Sequence, residues 1–276
     1  MSGIEAFRYD GKRVLIVGGA SGMGAAAART TMDLGAEVIV LDYAPVELPV
    51  KHSVQVDVRD RGALDRALDE VGGPVDALFS AAGVADGTPG IMKINFIAHR
   101  HVIERLIGEG TLGAGGAVCM ISSVAGLGWE ANLATLKEFL ATPDYDSAGG
   151  WIDGHEGTDS YTFSKQAMNA YVAMQAYPLM AKGIRINAIC PGPTDTPLAR
   201  ANADVWLAFA QDYREATGTG HLTPEQMGDT MAFLNSGAAG GISGVNLLVD
   251  RGHIMSSLTG SFAPGETLAK MIMGRS

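Results

Sequence analysis

The sequence contains 276 residues, a length that allows one large domain or two small ones at about 100–200 residues per domain. Hydrophobic residues make up 47% and charged residues 18%, so the chain can bury a sizeable core and wholesale disorder is excluded. Acidic residues outnumber basic ones, 30 to 20, giving a formal net charge of −10. Because nucleic-acid binding depends on clustered positive charge, no nucleic-acid partner is expected.

The two cysteines and the N-terminal residues indicate in which cellular compartment the protein is expected. Cys119 and Cys190 each lie in an apolar run, which is typical of reduced, buried thiols. No Cys/His spacing matches a zinc site, so no metal is expected. The first ten residues carry three charges and no apolar segment, and no apolar stretch reaches about 18 residues. We therefore expect a cytoplasmic protein without a membrane span.

Apolar runs alternate with helical patterns along the chain. The apolar runs predict seven strands, at residues 14–17, 37–41, 54–56, 75–79, 117–121, 184–189 and 245–249. The helical patterns cover residues 25–34, 61–71, 91–107, 160–181 and 224–234. This alternation predicts an α/β protein whose mainly parallel sheet carries helices on both faces. No linker or repeat divides it, so we expect one doubly wound domain over residues 1–276.

Two segments, 125–159 and 194–222, do not fit the alternation. Both follow the carboxyl ends of predicted strands, where open α/β sheets bind their ligands. The first contains Leu133, Leu136 and Leu140, whose spacing could form one helical stripe. It could pack on its own domain or another subunit, or it could be a substrate lid. We interpret the second as a variable substrate loop.

A glycine-rich segment follows the first predicted strand and leads into the first predicted helix. Glycine lets backbone N–H groups approach a pyrophosphate closely, and the N-terminus of the following helix favours negative charge. Glycines also serve ordinary turns, so the segment is informative only in this strand–turn–helix context. We interpret it as a phosphate-binding loop, with the cofactor-binding candidates Gly18, Ser21, Gly22, Met23 and Gly24.

An acidic residue, Asp42, ends the second predicted strand about 20 residues after this loop. A carboxylate there can accept hydrogen bonds from both hydroxyls of an adenosine ribose and would repel a 2′-phosphate. Neither the adjoining Tyr43 and Ala44 nor the glycine loop offers an Arg or Lys to bind that phosphate. We therefore predict NAD(H) rather than NADP(H), with Asp42 and Tyr43 in the cofactor site. A strand-end aspartate without a ligand is the alternative.

Tyr161 and Lys165 are four residues apart at the start of a predicted helix, so their side chains lie on one face. An ammonium near a phenol lowers the pKa of the phenol toward working pH, which would make Tyr161 a usable acid or base. The same spacing also fits a half-buried ring beside a solvated amine. Further polar residues favour catalysis, since Ser122 and Ser123 end the fifth predicted strand and Asn95 lies in the helix after the fourth.

Together these motifs resemble the short-chain dehydrogenase/reductase family. The matching residues, in chain order, are 18–24, 57–58, 81–83, Asn95, 121–123, Tyr161 with Lys165, and 191–197. The match covers about residues 11–253, and the ordered set is far more specific than any one motif. It implies a Rossmann-type fold and an oxidoreductase that acts on CH–OH groups.

The resemblance also implies a role for each matching residue. Tyr161 would donate or accept the substrate proton, Lys165 would bind the nicotinamide ribose and lower the tyrosine pKa, Ser123 would hold the substrate oxygen, and Asn95 would support a proton relay. Ser122 would be only a strand-end neighbour of the catalytic serine. The remaining cofactor-binding candidates are Asp57, Val58, Ala81, Ala82, Gly83, Pro191, Gly192, Thr194 and Thr196, together with Tyr161 and Lys165.

The chain departs from the family pattern in two places. Val17 stands where the family usually has Thr, and Ser80-Ala81-Ala82-Gly83 stands where it usually has Asn-Asn-Ala-Gly. Both familiar polar residues mainly bond the backbone around the crevice, so their loss concerns local rigidity more than chemistry.

The long segment between Ser123 and Tyr161 is similar to that of the branch holding bacterial 3α-hydroxysteroid dehydrogenase/carbonyl reductase and coniferyl alcohol dehydrogenase. This implies a bulky, apolar alcohol or ketone substrate, such as a steroid, terpenoid or aryl alcohol. By the same resemblance a homodimer or homotetramer is expected. The alternative function is a catalytically silent dinucleotide-binding sensor on the same scaffold.

Overall fold

The computed structural model describes residues 3–275, and all seven predicted strands form within this part of the chain. They lie side by side in the order β3-β2-β1-β4-β5-β6-β7, and each neighbouring pair is parallel. Their bounds are β1 Arg13–Val17, β2 Glu37–Asp42, β3 His52–Gln55, β4 Ala77–Ser80, β5 Ala117–Ile121, β6 Arg185–Pro191 and β7 Asn246–Val249. The doubly wound α/β prediction is confirmed. The strand order reverses between β1 and β4, which opens a crevice at the carboxyl ends of the strands.

Helices connect the strands and cover both faces of the sheet. In the described residues the α-helices are α1 Gly22–Asp33, α2 Arg61–Val71, α3 Ala98–Gly108, α4 Leu133–Leu140, α5 Tyr145–Asp153, α6 Tyr161–Met180, α7 Pro197–Arg200, α8 Ala203–Trp206, α9 Gln211–Thr217, α10 Pro224–Asn235, α11 His253–Leu258 and α12 Glu266–Ile272. A π-helical turn, Lys93–Ile97, precedes α3, and short 3-10 turns include Val124–Gly126 and Trp129–Asn132.

Successive apolar side chains of the central strands point to opposite faces of the sheet, so a hydrophobic core forms on each face. On one face Leu15, Ile39 and Leu78 pack with residues of α2, α3 and α6. On the other face Ile16 and Val40 pack with residues of α1 and α10. Because the inner strands are buried on both faces, they have the continuous apolar sequences from which the parallel sheet was predicted.

Both segments that broke the alternation fold into short helices. In the first, Leu136 and Phe139 of α4 and Tyr145 of α5 are buried in the same core as α3 and α6. This part of the segment therefore packs on its own domain, one of the three possibilities left open above. The second segment forms α7, α8 and α9 beside the carboxyl end of β6.

Helical periodicity over residues 91–107 predicted one continuous helix, but the π-turn Lys93–Ile97 interrupts it before α3 begins. A π-turn adds one residue to a helical turn, a change too small to alter the apolar pattern of the sequence. In the described residues no helix is both long enough and apolar enough to cross a membrane.

Candidate active site

A crevice of about 420 Å³ opens at the carboxyl ends of β1, β2 and β4, where the strand order reverses. Most of the predicted cofactor residues line it, namely Gly18, Ser21, Gly22, Met23, Gly24, Asp42, Tyr43, Asp57, Val58, Ala81, Ala82, Gly83 and Thr196. Several other lining residues were not predicted from the sequence, among them Arg59, Val84, Thr88, Ile94 and Leu198. They lie on loops or in short helical turns whose position in sequence does not reveal their distance from the glycine loop.

The glycine loop is packed so tightly against its neighbours that side chains are excluded at two positions. Gly18 has φ +90°, and a Cβ there would overlap the backbone nitrogen of Ala82. A Cβ on Gly24, in the first turn of α1, would overlap the carbonyl oxygen of Gly18. The loop therefore leaves backbone groups exposed at a helix N-terminus, and this cradle fits a pyrophosphate.

Asp42 ends β2 at the wall of this crevice. Its Oδ2 accepts a hydrogen bond of 2.8 Å from the backbone N–H of Ala20, and Oδ1 accepts one of 2.8 Å from Ala44. Carboxylate oxygens have further acceptor capacity, so ribose hydroxyls can be bound at the same group. The side chain is thus oriented by the backbone around it, as a ribose-binding carboxylate requires.

Arg59 places a cation in the crevice, but this cation is already paired. Its Nη2 lies 2.6 Å from Asp57 Oδ2, and its Nε donates to Asp57 Oδ1 over 3.0 Å. The guanidinium beside Asp57 holds the pKa of that carboxyl below its usual range. With its charge compensated in this way, Arg59 is a weak candidate for binding an additional phosphate.

Residues after β6 form the wall opposite the glycine loop. A Cβ on Gly22 would lie 3.6 Å from Thr196, so the two segments nearly touch across the crevice. The Thr196 hydroxyl accepts from the backbone N–H of Ala199 and caps α7. Of the predicted cofactor residues, five do not line this cavity, namely Pro191, Gly192, Thr194, Tyr161 and Lys165. Thr194 is buried, its hydroxyl donates to Gly192 over 3.0 Å, and Gly192 lies against Asp250.

Tyr161 is the first residue of α6, and Lys165 follows one turn later on the same face. The hydroxyl of the preceding Ser160 accepts from the backbone N–H of Phe163 and caps the helix. Lys165 Nζ lies 5.5 Å from the centre of the Tyr161 ring and donates a 2.8 Å hydrogen bond to the carbonyl of Ile121, the last residue of β5. The helix and the strand end therefore hold the two side chains together.

Burial raises the pKa of Tyr161 to about 12, while its hydrogen bond with the Ser123 hydroxyl lowers it. Burial also lowers the pKa of Lys165 to about 8, so the amine is still mostly protonated at neutral pH. The predicted serine, lysine and tyrosine thus come together at the end of β5. Ser122, by contrast, donates to the carbonyl of Lys165 over 3.2 Å and has a structural role.

Asn95 is buried in the π-turn before α3. Its Oδ1 accepts a 2.8 Å hydrogen bond from the backbone N–H of Val84, and its Nδ2 donates to the Val84 carbonyl over 3.0 Å. A Cβ on Gly83 would lie 3.7 Å from Asn95 Oδ1 and 3.9 Å from Lys165 Nζ. Gly83 therefore lies between the crevice and Lys165, because it lines the crevice and approaches the Lys165 amine.

The structure also places His99 and Trp206 near this site. His99 is fully buried, its Nε2 lies 2.9 Å from the Ala82 carbonyl, and burial lowers its pKa to about 4, so the ring is neutral. The ring of Trp206, at the end of α8, lies 5.0 Å from that of Tyr161, measured between centres. Trp206 is therefore an aromatic wall beside the phenol.

Comparisons with known proteins agree with this geometry. Residues 12–135 match the family model described as short chain dehydrogenase, and residues 145–253 match the one described as Enoyl-(Acyl carrier protein) reductase. The cis-4-hydroxycyclohexanecarboxylate dehydrogenase of Sinomonas cyclohexanicum is 32% identical over 265 residues, which span 90% of this chain and 98% of that protein. The chain belongs to the short-chain dehydrogenase/reductase family. It is therefore an oxidoreductase, of the class that acts on CH–OH groups.

Within the family, the chain is 26% identical over 250 residues to the coniferyl-alcohol dehydrogenase of Pseudomonas sp. (strain HR199 / DSM 7063), covering 87% of this chain and 96% of that one. Its fold is similar to that of the 3-alpha-hydroxysteroid dehydrogenase from Pseudomonas sp. B-0831, solved with NADH. The TM-score is 0.69 and the identity 24%, over 91% of this chain and 99% of that chain. Solved neighbours include complexes with NADH and with NADPH, so a nicotinamide dinucleotide is the family's cofactor.

Proposed function

We propose that this protein is an NAD(H)-dependent oxidoreductase that interconverts a secondary alcohol and a ketone, or an alcohol and an aldehyde, on a bulky apolar substrate. The observation that carries the proposal is the approach of Ser123, Tyr161 and Lys165 to one another at the carboxyl end of β5, with Lys165 Nζ close to Gly83 of the crevice wall. Their chemistry is that of an acid/base pair with a hydrogen-bond partner for an oxygen atom.

Each of these side chains has a part in the proposed reaction. The Ser123 hydroxyl would hold the substrate oxygen. The Tyr161 phenolate would take the proton of the alcohol during oxidation, and the phenol so formed would donate it during reduction. The ammonium of Lys165, 5.5 Å from the centre of the ring, would stabilise the negative charge of the phenolate against the effect of burial. The bound dinucleotide would supply the hydride acceptor or donor.

The walls beside Tyr161 favour an apolar substrate. Trp206 packs against the phenol ring, and Phe209 and Leu127 belong to an apolar cluster that includes Val124, the residue after Ser123. An apolar surface with few polar anchors suits steroid, terpenoid or aryl alcohols. The named activities of the two relatives, on coniferyl alcohol and on a hydroxycyclohexane carboxylate, supply two members of a first substrate panel.

The choice of NAD(H) over NADP(H) rests on Asp42 and Arg59. A carboxylate on the ribose-binding wall repels a 2′-phosphate, and the nearest cation in the crevice is already paired with Asp57. The cofactor residues would be those lining the crevice, with Lys165 and Tyr161 at its nicotinamide end. We retain Pro191, Gly192 and Thr194 as candidates on the resemblance alone.

The test measures dinucleotide binding by intrinsic fluorescence and turnover by absorbance of the reduced nicotinamide, over a panel of steroid, terpenoid and aryl alcohols and ketones. The Tyr161→Phe variant should still bind NADH but lose turnover by about a hundredfold or more, because general acid–base catalysis contributes about 10²–10⁴. Tyr177→Phe is the matched control, since Tyr177 lies on the same helix and is 83% exposed.

Turnover by Tyr161→Phe at the native rate would remove the proposed mechanism, and failure to bind either dinucleotide would remove the function itself. Tight NADH binding without turnover on the whole panel would favour the silent sensor instead. We propose a cytoplasmic location from the charged N-terminal residues and the buried cysteines, and a homodimeric or homotetrameric assembly from the resemblance alone.

A further inference from the structure

One side chain of the loop after β4 contacts Tyr161, the first residue of α6. Asp86, which is exposed, accepts a 2.6 Å hydrogen bond through Oδ1 from the backbone N–H of Tyr161. No family motif in the sequence includes Asp86, and nothing in its spacing to Tyr161 along the chain indicates the contact.

The loop that carries Asp86 is held at both ends. Before it, Asn95 bonds both the N–H and the carbonyl of Val84. After it, Gly87 has φ +78°, a turn conformation that favours glycine, and Asp159 Oδ1 accepts from the N–H of Met92 over 3.4 Å. Val84 and Thr88, on either side of Asp86 in sequence, line the cofactor crevice. Asp86 is therefore presented to Tyr161 by a supported loop that also forms part of the crevice wall.

The hydrogen bond satisfies a group that α6 itself leaves open. The first N–H groups of an α-helix have no acceptor within the helix, and Tyr161 is the first residue of α6. Ser160 accepts from Phe163 and does not reach the Tyr161 N–H. A carboxylate at this end of a helix is further favoured by the helix dipole. Asp86 thus anchors the backbone of the residue that would exchange the proton.

The same carboxylate changes the charge environment of the phenol. The groups that influence it are Ser123, Cys190 and Asp86, with Lys165 beside the ring. Burial raises the pKa of the Cys190 thiol to about 11, so the thiol is neutral at working pH and the Asp86 carboxylate is the negative charge acting on Tyr161. A negative neighbour disfavours the phenolate.

We propose that Asp86 is a positioning residue that anchors Tyr161 through its backbone N–H and places a negative charge beside that residue. This inference rests on the proposed function for its catalytic consequence, but its anchoring part can be tested without turnover. The hydrogen bond predicts slow exchange of the Tyr161 amide, and the charge predicts a salt-sensitive pH profile.

The experiment compares Asp86→Asn and Asp86→Ala in the full chain. Asn keeps an oxygen that can accept from the Tyr161 N–H but removes the charge, whereas Ala removes both. Asp144→Asn is the matched control, because Asp144 is an exposed aspartate that also accepts from a helix N-terminal N–H, that of Ser147 in α5. Amide exchange is read from ¹⁵N-tyrosine-labelled protein, with the Tyr161 signal assigned by its disappearance in Tyr161→Phe.

We expect Asp86→Ala to accelerate Tyr161 amide exchange at least about tenfold, and Asp86→Asn to leave it near the native rate. For alcohol oxidation with NAD⁺, both variants should move the midpoint of the kcat/KM–pH profile to lower pH by roughly half a unit, since the phenolate is easier to form without the charge. High salt should produce most of this shift in the native chain and little in Asp86→Asn.

Unchanged amide exchange in Asp86→Ala would overturn the anchoring role, and an unchanged midpoint in Asp86→Asn would overturn the electrostatic one. If the native chain oxidises no alcohol on the panel, the proposed function fails, yet the exchange measurement still decides whether Asp86 anchors Tyr161. Asp144→Asn should match the native chain in both measurements.

Discussion

At the scale of single residues, the site depends on carboxylates held in place by backbone N–H groups. Asp42 accepts from Ala20 and Ala44, and Asp86 accepts from Tyr161. Each bond orients a charge toward a position where a ligand or a reacting group would lie. A carboxylate constrained in this way discriminates by charge without having to reorganise, which is the basis of the NAD(H) preference we propose.

The preference can be tested with Asp42→Asn, which keeps the shape of the side chain but removes its charge. We expect the ratio of kcat/KM with NADPH to kcat/KM with NADH to rise by about tenfold or more, equivalent to about 1.4 kcal/mol. The control is Asp33→Asn, an exposed aspartate at the opposite end of α1 from the glycine loop. A ratio that stays at the native value would show that Asp42 does not select the dinucleotide.

At the scale of elements, two helices support the crevice by packing closely against the segments that line it. Tyr145 of α5 donates to the carbonyl of Val58 over 2.8 Å, so the long segment before Tyr161 supports the crevice wall from behind. On the other face of the sheet, α10 approaches α1 at Gly228, where a Cβ would lie 2.7 Å from the backbone carbon of Ala26. This contact lets α10 cover the sheet beside the helix that follows the glycine loop.

The Gly228→Ala variant therefore tests which effect is larger, the steric cost of a methyl group between α1 and α10 or the higher helix propensity of alanine. Alanine favours an α-helix over glycine by about 1 kcal/mol, but here the added methyl would push against the backbone of α1, and overpacking costs about 1–3 kcal/mol. We expect a net loss of unfolding free energy, measured by chemical denaturation. Gly150→Ala in α5, where a Cβ would meet nothing within 4 Å, should instead gain about 0.5–1 kcal/mol. A stabilised Gly228→Ala protein would mean that the two helices can separate at little cost.

At the scale of the whole molecule, residues near the C-terminal end of the described chain pack beside the segment that follows Ser123. Ala269 and Ile272 of α12 and Ile254 of α11 form a small apolar cluster with Val124, which follows Ser123, and with Phe209 of the variable loop. A Cβ on Gly128, φ +70°, would lie 2.5 Å from the carbonyl oxygen of Ile272, so the backbones nearly touch there as well. Segments that are distant in sequence thus form one apolar surface beside Ser123.

Ala269→Arg should disrupt this wall, because it places an unpaired charge at a position that is 1% exposed. We expect kcat/KM to fall by about tenfold or more while NADH affinity changes little, since the cluster lies away from the crevice-lining residues. Met271→Arg is the matched control, on the same helix at 70% exposure, and should retain native kinetics. Equal losses in both variants, or loss of NADH binding in Ala269→Arg, would contradict this account.

The sequence by itself determined the sheet, the glycine loop and the pairing of Tyr161 with Lys165. These are local features, since apolar runs, glycine spacing and a four-residue helical interval each follow from neighbouring residues. The parallel arrangement and the continuous burial of the inner strands followed from the alternation of strands with helices. Asp42, Asn95 and the serine pair 122–123 were predicted because each lies at the end of a strand or in the helix that follows one, and the resemblance then selected Ser123.

Only the tertiary structure decided which remote residues meet. Trp206, Asp86 and the α12 cluster lie far along the chain from the groups they contact, and no periodic pattern indicates those contacts. Arg59 likewise lines the same crevice as the glycine loop, from which it is distant in sequence. The π-turn at Asn95 could not be predicted from the sequence, because one added residue in a helical turn leaves the apolar pattern unchanged. The packing of α4 and α5 could not be predicted either, because their apolar residues fit equally well against their own domain or against another surface. Long-range pairing depends on how the loops close, and a single sequence records those loops only as irregular segments.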